Sequence, residues 1–106
     1  MSPAASSPDD AGEPVVDLAT RLQLRADRVT WKRAGDEVIA LELDGDEYLA
    51  ARGSGAELWQ RLAEPVTGAE LAAWMTEHYG IDLERAEADV LVFLTEVSQR
   101  GLLRAI

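Results

Sequence analysis

Few residues in this sequence have the types and spacing that catalysis or metal binding requires. The chain has one histidine, His78, and no cysteine, which leaves no thiol nucleophile and no cluster of His and Cys ligands. His78 falls at the predicted end of a helix, where packing and a favourable interaction with the helix dipole account for it. No local motif links Ser, His and Asp residues into a catalytic triad. The sequence therefore predicts no enzyme, no metal site and no cofactor.

Two short segments resemble ligand-binding loops but lack the residues that such loops need. The run "DGDE" at residues 44–47 places carboxylates close together without the spacing of a calcium loop. The run "GSG" at residues 53–55 precedes a predicted helix, as a phosphate-binding loop does, but no Lys or Thr follows it to bind phosphate. We interpret the first segment as a solvated turn and the second as a helix start.

The charge balance argues against two classes of partner. Twenty Asp and Glu residues against ten Lys and Arg residues give a net charge of −10. Binding to nucleic acid needs clustered basic residues that displace counterions, so nucleic acid and anionic membrane surfaces are both disfavoured. The first residues lack the basic and apolar regions of a signal peptide, and no apolar run approaches membrane-spanning length. We therefore expect a cytoplasmic protein.

Composition divides the chain into a tail and one domain. Residues 1–14 are rich in Pro, Ser, Ala and Asp, and they carry too little apolar surface to offset the entropy of ordering. They are predicted to form a disordered acidic tail. Residues 15–106 are predicted to form a single domain, in which residues 15–24 either lie across the domain or add a short strand.

Three runs with strand character follow one another. They are "RVTWK" at residues 28–32, "EVIALEL" at residues 37–43 and "EYLAA" at residues 47–51. Between the second and the third run stands Asp44-Gly45, a dipeptide favoured in tight hairpins. No further strand-like run occurs until the last few residues of the chain. The third strand is therefore predicted to have an open edge, which a protein must either protect or use.

The hairpin allows two registers. Either Glu42 lies opposite Glu47, which is mildly unfavourable, or Leu43 lies opposite Tyr48. Both registers place Tyr48 and Ala50 on the same face of the sheet as Leu41, because side chains alternate along a strand. We predict that this is the inner face.

Three helices follow the strands. Ser54 with Glu57, and Thr67 with Glu70, have the spacing of capping boxes, and Gly80 is suited to end the second helix. A third helix is predicted from about residue 83 to residue 100, with Asp82 as its N-cap. The side chains expected to face the core, with Trp31 from the first strand, are Leu58, Trp59, Leu62, Leu71, Trp74 or Met75, His78 or Tyr79, Leu83, Ala86, Val90, Phe93, Leu94 and Val97.

The order of elements predicts an α+β fold in which a three-stranded antiparallel sheet is followed by three helices with winged-helix-like packing. The run "ADVLVFL" at residues 88–94 is apolar around more of the third helix than a helix covered on one side requires. Either this helix is central, or one flank that includes Phe93 or Leu94 lines a groove beside the open strand.

The spacing of Tyr48, Gly55 and Leu58-Trp59, the segment "HYGID" and the run "ADVLVFLTEVSQRGLL" together resemble a PqqD-like protein. Members of this family are recognition elements for ribosomally made peptides that are later modified. The resemblance covers roughly residues 28–103, and the order and spacing of its parts make it specific. Family members usually carry Leu-Asn where this chain has Ala51-Arg52, so the turn into the first helix is expected to depend on Gly53.

The resemblance implies a mechanism that uses the open edge. The leader segment of a precursor peptide adds as an antiparallel strand to the third strand, and its side chains enter a cleft between that strand and the third helix. The small Ala50 and Ala51 suit close approach, and Asp89 and Glu96 either receive basic leader residues or are simply solvated. The implied leader-binding residues are Glu47, Tyr48, Leu49, Ala50, Ala51, Asp89, Val90, Phe93, Leu94 and Val97.

The implied partners are the leader peptide and an enzyme that modifies the precursor or a protease that removes the leader. A chain of this size fits a lasso-peptide system, and a radical-SAM or other tailoring enzyme is an equal alternative. Two rival functions are a winged-helix DNA-binding protein, which the acidic third helix disfavours, and a dimerisation module whose open edges pair with each other.

Overall fold

The computed structural model describes residues 14–106. The predicted tail at residues 1–14 therefore lies outside the described residues, except for Pro14. The elements in chain order are β1 (Arg21–Leu24), β2 (Val29–Ala34), β3 (Glu37–Glu42), β4 (Glu47–Arg52), α1 (Ser54–Arg61), β5 (Val66–Thr67), α2 (Gly68–Tyr79), α3 (Leu83–Gln99) and β6 (Leu103–Ala105). Within the described residues, no helix is both long enough and apolar enough to cross a membrane.

The main sheet is an antiparallel meander of β2, β3 and β4, as the sequence predicted. Its hairpin takes the first of the two registers, with Glu42 opposite Glu47. The like-charge pair is tolerated because Arg100, which follows α3, places its Nη1 atom 2.5 Å from a carboxylate oxygen of Glu42 and 4.0 Å from one of Glu47. A third residue, distant in sequence, thus stabilises the predicted but unfavourable pair.

A second, smaller sheet joins the two ends of the domain. β1 lies between β5 and β6 and pairs antiparallel with both. Residues 15–24 therefore contribute a strand, which decides between the two alternatives left open by the sequence. Leu22 and Leu103 are almost fully buried, so this sheet forms part of the core. The two-residue strand β5 was not predicted, because it is too short to show any periodicity.

The core lies between the helices, the inner face of the main sheet and the small sheet. Trp59, Leu62, Leu71 and Leu94 are buried in it, as predicted. The inner face of the main sheet contributes Val38 and Ala40 to the same cluster. These small residues let the helices pack close to the sheet.

Several predicted core positions lie instead at the surface. His78 and Tyr79 are exposed in the last turn of α2, and Leu83 is 49% exposed in the first turn of α3, before the buried stripe begins. Trp74 is only partly buried, and its ring stacks on His78 with 4.7 Å between centroids. Trp31 is also only partly buried, so Trp59 is the only one of the three tryptophans that is fully enclosed.

The two predicted capping boxes have different outcomes. In α2 the Thr67 hydroxyl accepts a hydrogen bond from the Glu70 N–H, and the Glu70 carboxylate accepts one from the Thr67 N–H. The latter bond lowers the pKa of Glu70, so the contribution of this carboxylate to stability is lost as the pH falls through the lowered value. In α1 the prediction is wrong. The N-cap is Gly53 with φ of 58°, and no side chain caps the helix.

Glu57 has a different partner in the structure. Its carboxylate lies 2.7 Å from Nη2 of Arg33 on β2. The contact ties α1 to the main sheet. Ser54 has no capping role because it is the first residue of the helix, after the N-cap Gly53. Gly53 also supplies the turn between β4 and α1, because its positive φ is readily accessible to glycine.

Replacing each cap hydroxyl should separate the two boxes experimentally. Thr67→Ala is expected to lower the free energy of unfolding by about 1 kcal/mol, because an N–H at the start of α2 loses its acceptor. Ser54→Ala, the matched control, should change it by less than about 0.5 kcal/mol, because Ser54 makes no cap bond. Chemical denaturation followed by circular dichroism measures both values. Equal losses in the two variants would contradict this assignment.

Candidate functional site

β4 forms an outer edge of the main sheet, with β3 on one side and no strand of the described residues on the other. The main-chain groups of an edge strand alternate between the neighbouring strand and the open side. The N–H of Gly53 donates to the carbonyl oxygen of Asp36 at 3.1 Å, which shows that this opposite pair is a hydrogen-bonded one. Every second opposite pair along the hairpin, counted from this one, is therefore also hydrogen-bonded.

The pattern assigns each main-chain group of β4 a direction. Those of Glu47, Leu49 and Ala51 point to β3, and those of Tyr48, Ala50 and Arg52 point to the open side. The other side of β3 agrees, because the Leu43 N–H donates to the Arg28 carbonyl at 2.9 Å and thus directs the odd-numbered groups of β3 to β2. Tyr48, Ala50 and Arg52 therefore offer a ladder of donors and acceptors to an added strand.

The side chains of β4 alternate between two faces. Leu49 and Ala51 are half-buried and face the helices, whereas Tyr48 and Ala50 lie on the outer face, with Tyr48 73% exposed. Tyr48 and Ala50 do share a face with Leu41, as predicted, but the prediction that this is the inner face is wrong. The inner face of β3 carries the smaller Val38 and Ala40, because the helices pack close to the sheet there.

A cleft separates β4 from α3. One part is a cavity of about 150 Å³ lined by Leu49, Ala50, Ala51, Trp59, Phe93, Glu96, Val97 and Arg100. A second hollow of about 280 Å³ continues along α3 and is lined by Ser54, Gly55, Leu58, Met75, Asp89, Val92, Phe93 and Glu96. Phe93 and Glu96 belong to both parts. We call the two together the strand–helix cleft.

Small residues keep the strand–helix cleft open where α1 begins. A Cβ atom added at Gly55 would lie 3.6 Å from the Cβ of Ala51 and 3.8 Å from Cε1 of Phe93. These are ordinary contact distances, so a side chain at this position would fill space that is now free. Ala51 and Gly55 therefore leave room for an incoming side chain beside the Phe93 ring.

The structure divides the predicted residues of α3 into two groups. Phe93 and Asp89 line the strand–helix cleft, and Val97 reaches it although only 5% exposed. Val90 and Leu94 are completely buried and belong to the core. Of the two residues that the sequence offered as the groove-lining flank, Phe93 is therefore the one that lines it.

Some cleft residues were not predicted. Val92, which is 60% exposed, belongs to the apolar run at residues 88–94 of α3, so the sequence did contain a signal for it. Met75 of α2 was predicted only as a core position, as the alternative to Trp74, and it is buried there as well as reaching the cleft. Arg100 follows the C-terminal end of α3, and no local pattern marks it as a cleft residue. Their position depends on how separate elements pack.

The two parts of the strand–helix cleft differ in charge. Near the hairpin, Arg100 lies beside the carboxylates of Glu42 and Glu47. Farther along α3, Asp89 is exposed, and its carboxylate is 3.8 Å from Nε of Arg85. The exposed Glu96 lines both parts. Among the residues that the structure describes, no group of His, Cys, Asp and Glu is arranged to hold a metal ion.

Comparison with known proteins agrees with this geometry. The family described as "Coenzyme PQQ synthesis protein D (PqqD)" matches residues 37–103. TbiB1 in complex with the TbiA(beta) leader peptide is 26% identical with a TM-score of 0.71, and the match covers 76% of this chain and 93% of that one. No curated protein matches the sequence significantly.

Two other solved structures share the fold. Lasso peptide synthetase B1, complexed with the leader peptide, is 22% identical with a TM-score of 0.68, and the match covers 77% of this chain and 95% of that one. The PqqD truncation of Methylobacterium extorquens PqqCD is 15% identical with a TM-score of 0.68, and the match covers 87% and 97%. The latter is described as a stand-alone recognition element for ribosomally synthesized and post-translationally modified peptides (RiPPs).

This chain contains an antiparallel sheet with an open edge strand, followed by three helices. It therefore has the fold of a RiPP recognition element. The match spans well over half of the sequence and includes both β4 and α3. This chain belongs to the PqqD family.

Proposed function

We propose that this chain binds the leader segment of a ribosomally synthesised precursor peptide without catalysing any reaction on it. The leader adds as a strand to β4, alternate leader side chains enter the strand–helix cleft, and the bound precursor is presented to another protein. The observation that carries the proposal is the ladder of outward main-chain groups at Tyr48, Ala50 and Arg52 beside an apolar cleft. In β-strand addition, such a ladder supplies affinity and the adjoining pockets supply selectivity.

The residues of the site suit a peptide strand. Ala50 is small, so a peptide backbone can approach β4 closely. Leu49, Ala51 and Phe93 offer apolar contact to the inward leader side chains, while Asp89 and Glu96 suit basic ones. TbiB1 and lasso peptide synthetase B1 each form a complex with a leader peptide, which supports leader binding by this chain.

The protein that receives the bound precursor is a modifying enzyme or a leader protease. The protease of a lasso-peptide system is one candidate, in line with the similarity to lasso peptide synthetase B1. A radical-SAM or other tailoring enzyme fits the PqqD family equally well. Sequencing the genes beside the one that encodes this chain tests these alternatives: a gene for a leader protease would support the first, and a gene for a tailoring enzyme the second.

The charge of α3 argues against the DNA-binding alternative. Leu83–Gln99 contains four acidic residues, Glu84, Glu87, Asp89 and Glu96, against the single base Arg85. A helix with this charge would be repelled by phosphates. In the remaining alternative, β4 pairs with β4 of a second copy. That alternative predicts a dimer that leader peptide does not dissociate.

A synthetic leader from a neighbouring precursor gene should bind the isolated protein with little dependence on salt. Main-chain and apolar contacts release few counterions, so the dissociation constant should change by less than about tenfold between low and high salt. Isothermal titration calorimetry measures this constant, and mass spectrometry of the mixture should show an unmodified peptide. Absence of binding, or a covalent change made by this chain alone, would overturn the proposal.

A further inference from the structure

The outer face of the main sheet, opposite the helices, is apolar next to the open strand. Strand register places its side chains in rows that run across the sheet towards β4. One row is Thr30, Leu41 and Tyr48, the next is Lys32, Ile39 and Ala50, and the third is Ala34, Glu37 and Arg52. The first two rows therefore end at the edge in apolar or aromatic side chains, and the third ends in a charged one.

A shallow hollow lies on this face. It measures about 330 Å³, and its lining includes Ile39, Leu41 and Tyr48. Ile39 and Leu41 are only half-buried, and the Tyr48 ring is 73% exposed. Between Tyr48 and Arg52 stands the short side chain of Ala50, which leaves open the space beside the Tyr48 ring.

The third row lies outside the hollow. Nε of Arg52 lies 3.1 Å from a carboxylate oxygen of Glu37 directly across the hairpin. This pair is already formed without any peptide. The apolar part of the outer face is therefore confined to the rows of Tyr48 and Ala50.

A strand added to β4 must present side chains to both faces of the sheet. Residues opposite Tyr48 and Ala50 direct their side chains to the outer face, and the residues between them direct theirs into the strand–helix cleft. This alternation holds for either direction of the added strand. The peptide residue opposite Ala50 thus lies over the open space between Tyr48 and Arg52, within reach of Ile39.

We propose that this chain selects leader peptides on both faces of the added strand, with Tyr48 as the selecting residue of the outer face. An apolar leader side chain opposite Ala50 packs against Ile39 and the flank of the Tyr48 ring. The preferred ligand is therefore a peptide with consecutive apolar residues, buried on both faces, and not one that alternates apolar and polar residues. The inference rests on the proposed function, because it requires a peptide strand at β4.

The probe for this inference is a displayed library of random peptides about a dozen residues long, which spans β4 with several residues to spare. Selection is carried out in parallel on the parent protein and on Tyr48→Thr. Threonine keeps a high preference for strands but removes the ring. Ala34→Thr is the matched control, because Ala34 is exposed on the same face, lies two strands away from the edge and does not line the hollow.

Peptides selected by the parent should carry apolar residues at consecutive positions, and those selected by Tyr48→Thr only at alternate ones. A parent-selected peptide should bind Tyr48→Thr about three- to tenfold more weakly, the scale of a lost aromatic cross-strand contact. Ala34→Thr should bind it as the parent does. Strictly alternating peptides from the parent, or unchanged binding by Tyr48→Thr, would overturn the inference.

Ala50→Pro separates this inference from the proposed function. If selected peptides lose binding to Ala50→Pro but show no preference for apolar side chains on the outer face, only the selecting role of Tyr48 is overturned. If no selected peptide depends on Ala50, no strand is added to β4, and the proposed function falls together with the inference.

Discussion

Ala50→Pro is expected to leave the protein folded and to weaken leader binding by about 1–3 kcal/mol, because a peptide carbonyl loses its donor and meets the proline ring. The N–H of Ala50 points away from β3, so the main sheet keeps all of its internal bonds. Proline is tolerated on edge strands at such positions. The exposed outer face also gives the ring room. Circular dichroism melting and calorimetric titration with the synthetic leader measure the two effects.

Ala51→Pro is the control one residue along the same strand. The N–H of Ala51 points to β3, opposite Val38, and its side chain is half-buried against the helices. Proline there removes a bond within the sheet and should unfold the hairpin or lower the melting temperature strongly. If Ala50→Pro instead stayed folded and bound leader as tightly as the parent, β4 would not be the docking strand.

Only the structure shows that Ala50, and not Ala51, directs its N–H to the open side. The sequence predicted the strand and its open edge, because the hairpin dipeptide and the alternating pattern are local signals. It left open which of two adjacent residues points outward, since that depends on which pairs of the hairpin are hydrogen-bonded. The bond from Gly53 to Asp36 settles the question across a separation of seventeen residues.

The helices were predicted for the same local reasons, and the errors fall where contacts are non-local. The capping box predicted at Thr67 is present. The one predicted for α1 is absent, and Glu57 instead forms an ion pair with Arg33 of β2. β5 exists only because β1 pairs with it across more than forty residues, as in the pair of Arg21 and Thr67. Composition and periodicity do not predict such long-range pairings.

The wrong assignment of the inner face has a physical cause. Ile39 and Leu41 are larger than Val38 and Ala40, so residue size does not identify the Val38 face as the buried one. When a strand is apolar on both faces, the alternation of its residues does not indicate which face is buried. The core takes the smaller set because the helices lie close to the sheet, and the larger set remains on the outer face beside Tyr48.

Phe93→Ala is expected to weaken leader binding by about 1–2 kcal/mol while the protein stays folded, because its ring lines both parts of the strand–helix cleft. Some stability should also be lost, since the half-buried ring packs against the core. Titration with the synthetic leader and thermal melting, carried out on the same preparation, separate the two effects. Binding is compared at a temperature where the variant is fully folded.

Leu94→Ala provides the contrast from the adjacent position on α3. Leu94 is completely buried, so its truncation should cost about 2–5 kcal/mol of stability through the cavity that it leaves. The fraction that remains folded should bind leader almost as the parent does, because Leu94 does not line the cleft. The two substitutions should thus have different effects: Phe93→Ala mainly weakens binding, and Leu94→Ala mainly lowers stability. If Phe93→Ala lowered only the melting temperature, Phe93 would be a core residue, and the leader side chains would have to enter elsewhere.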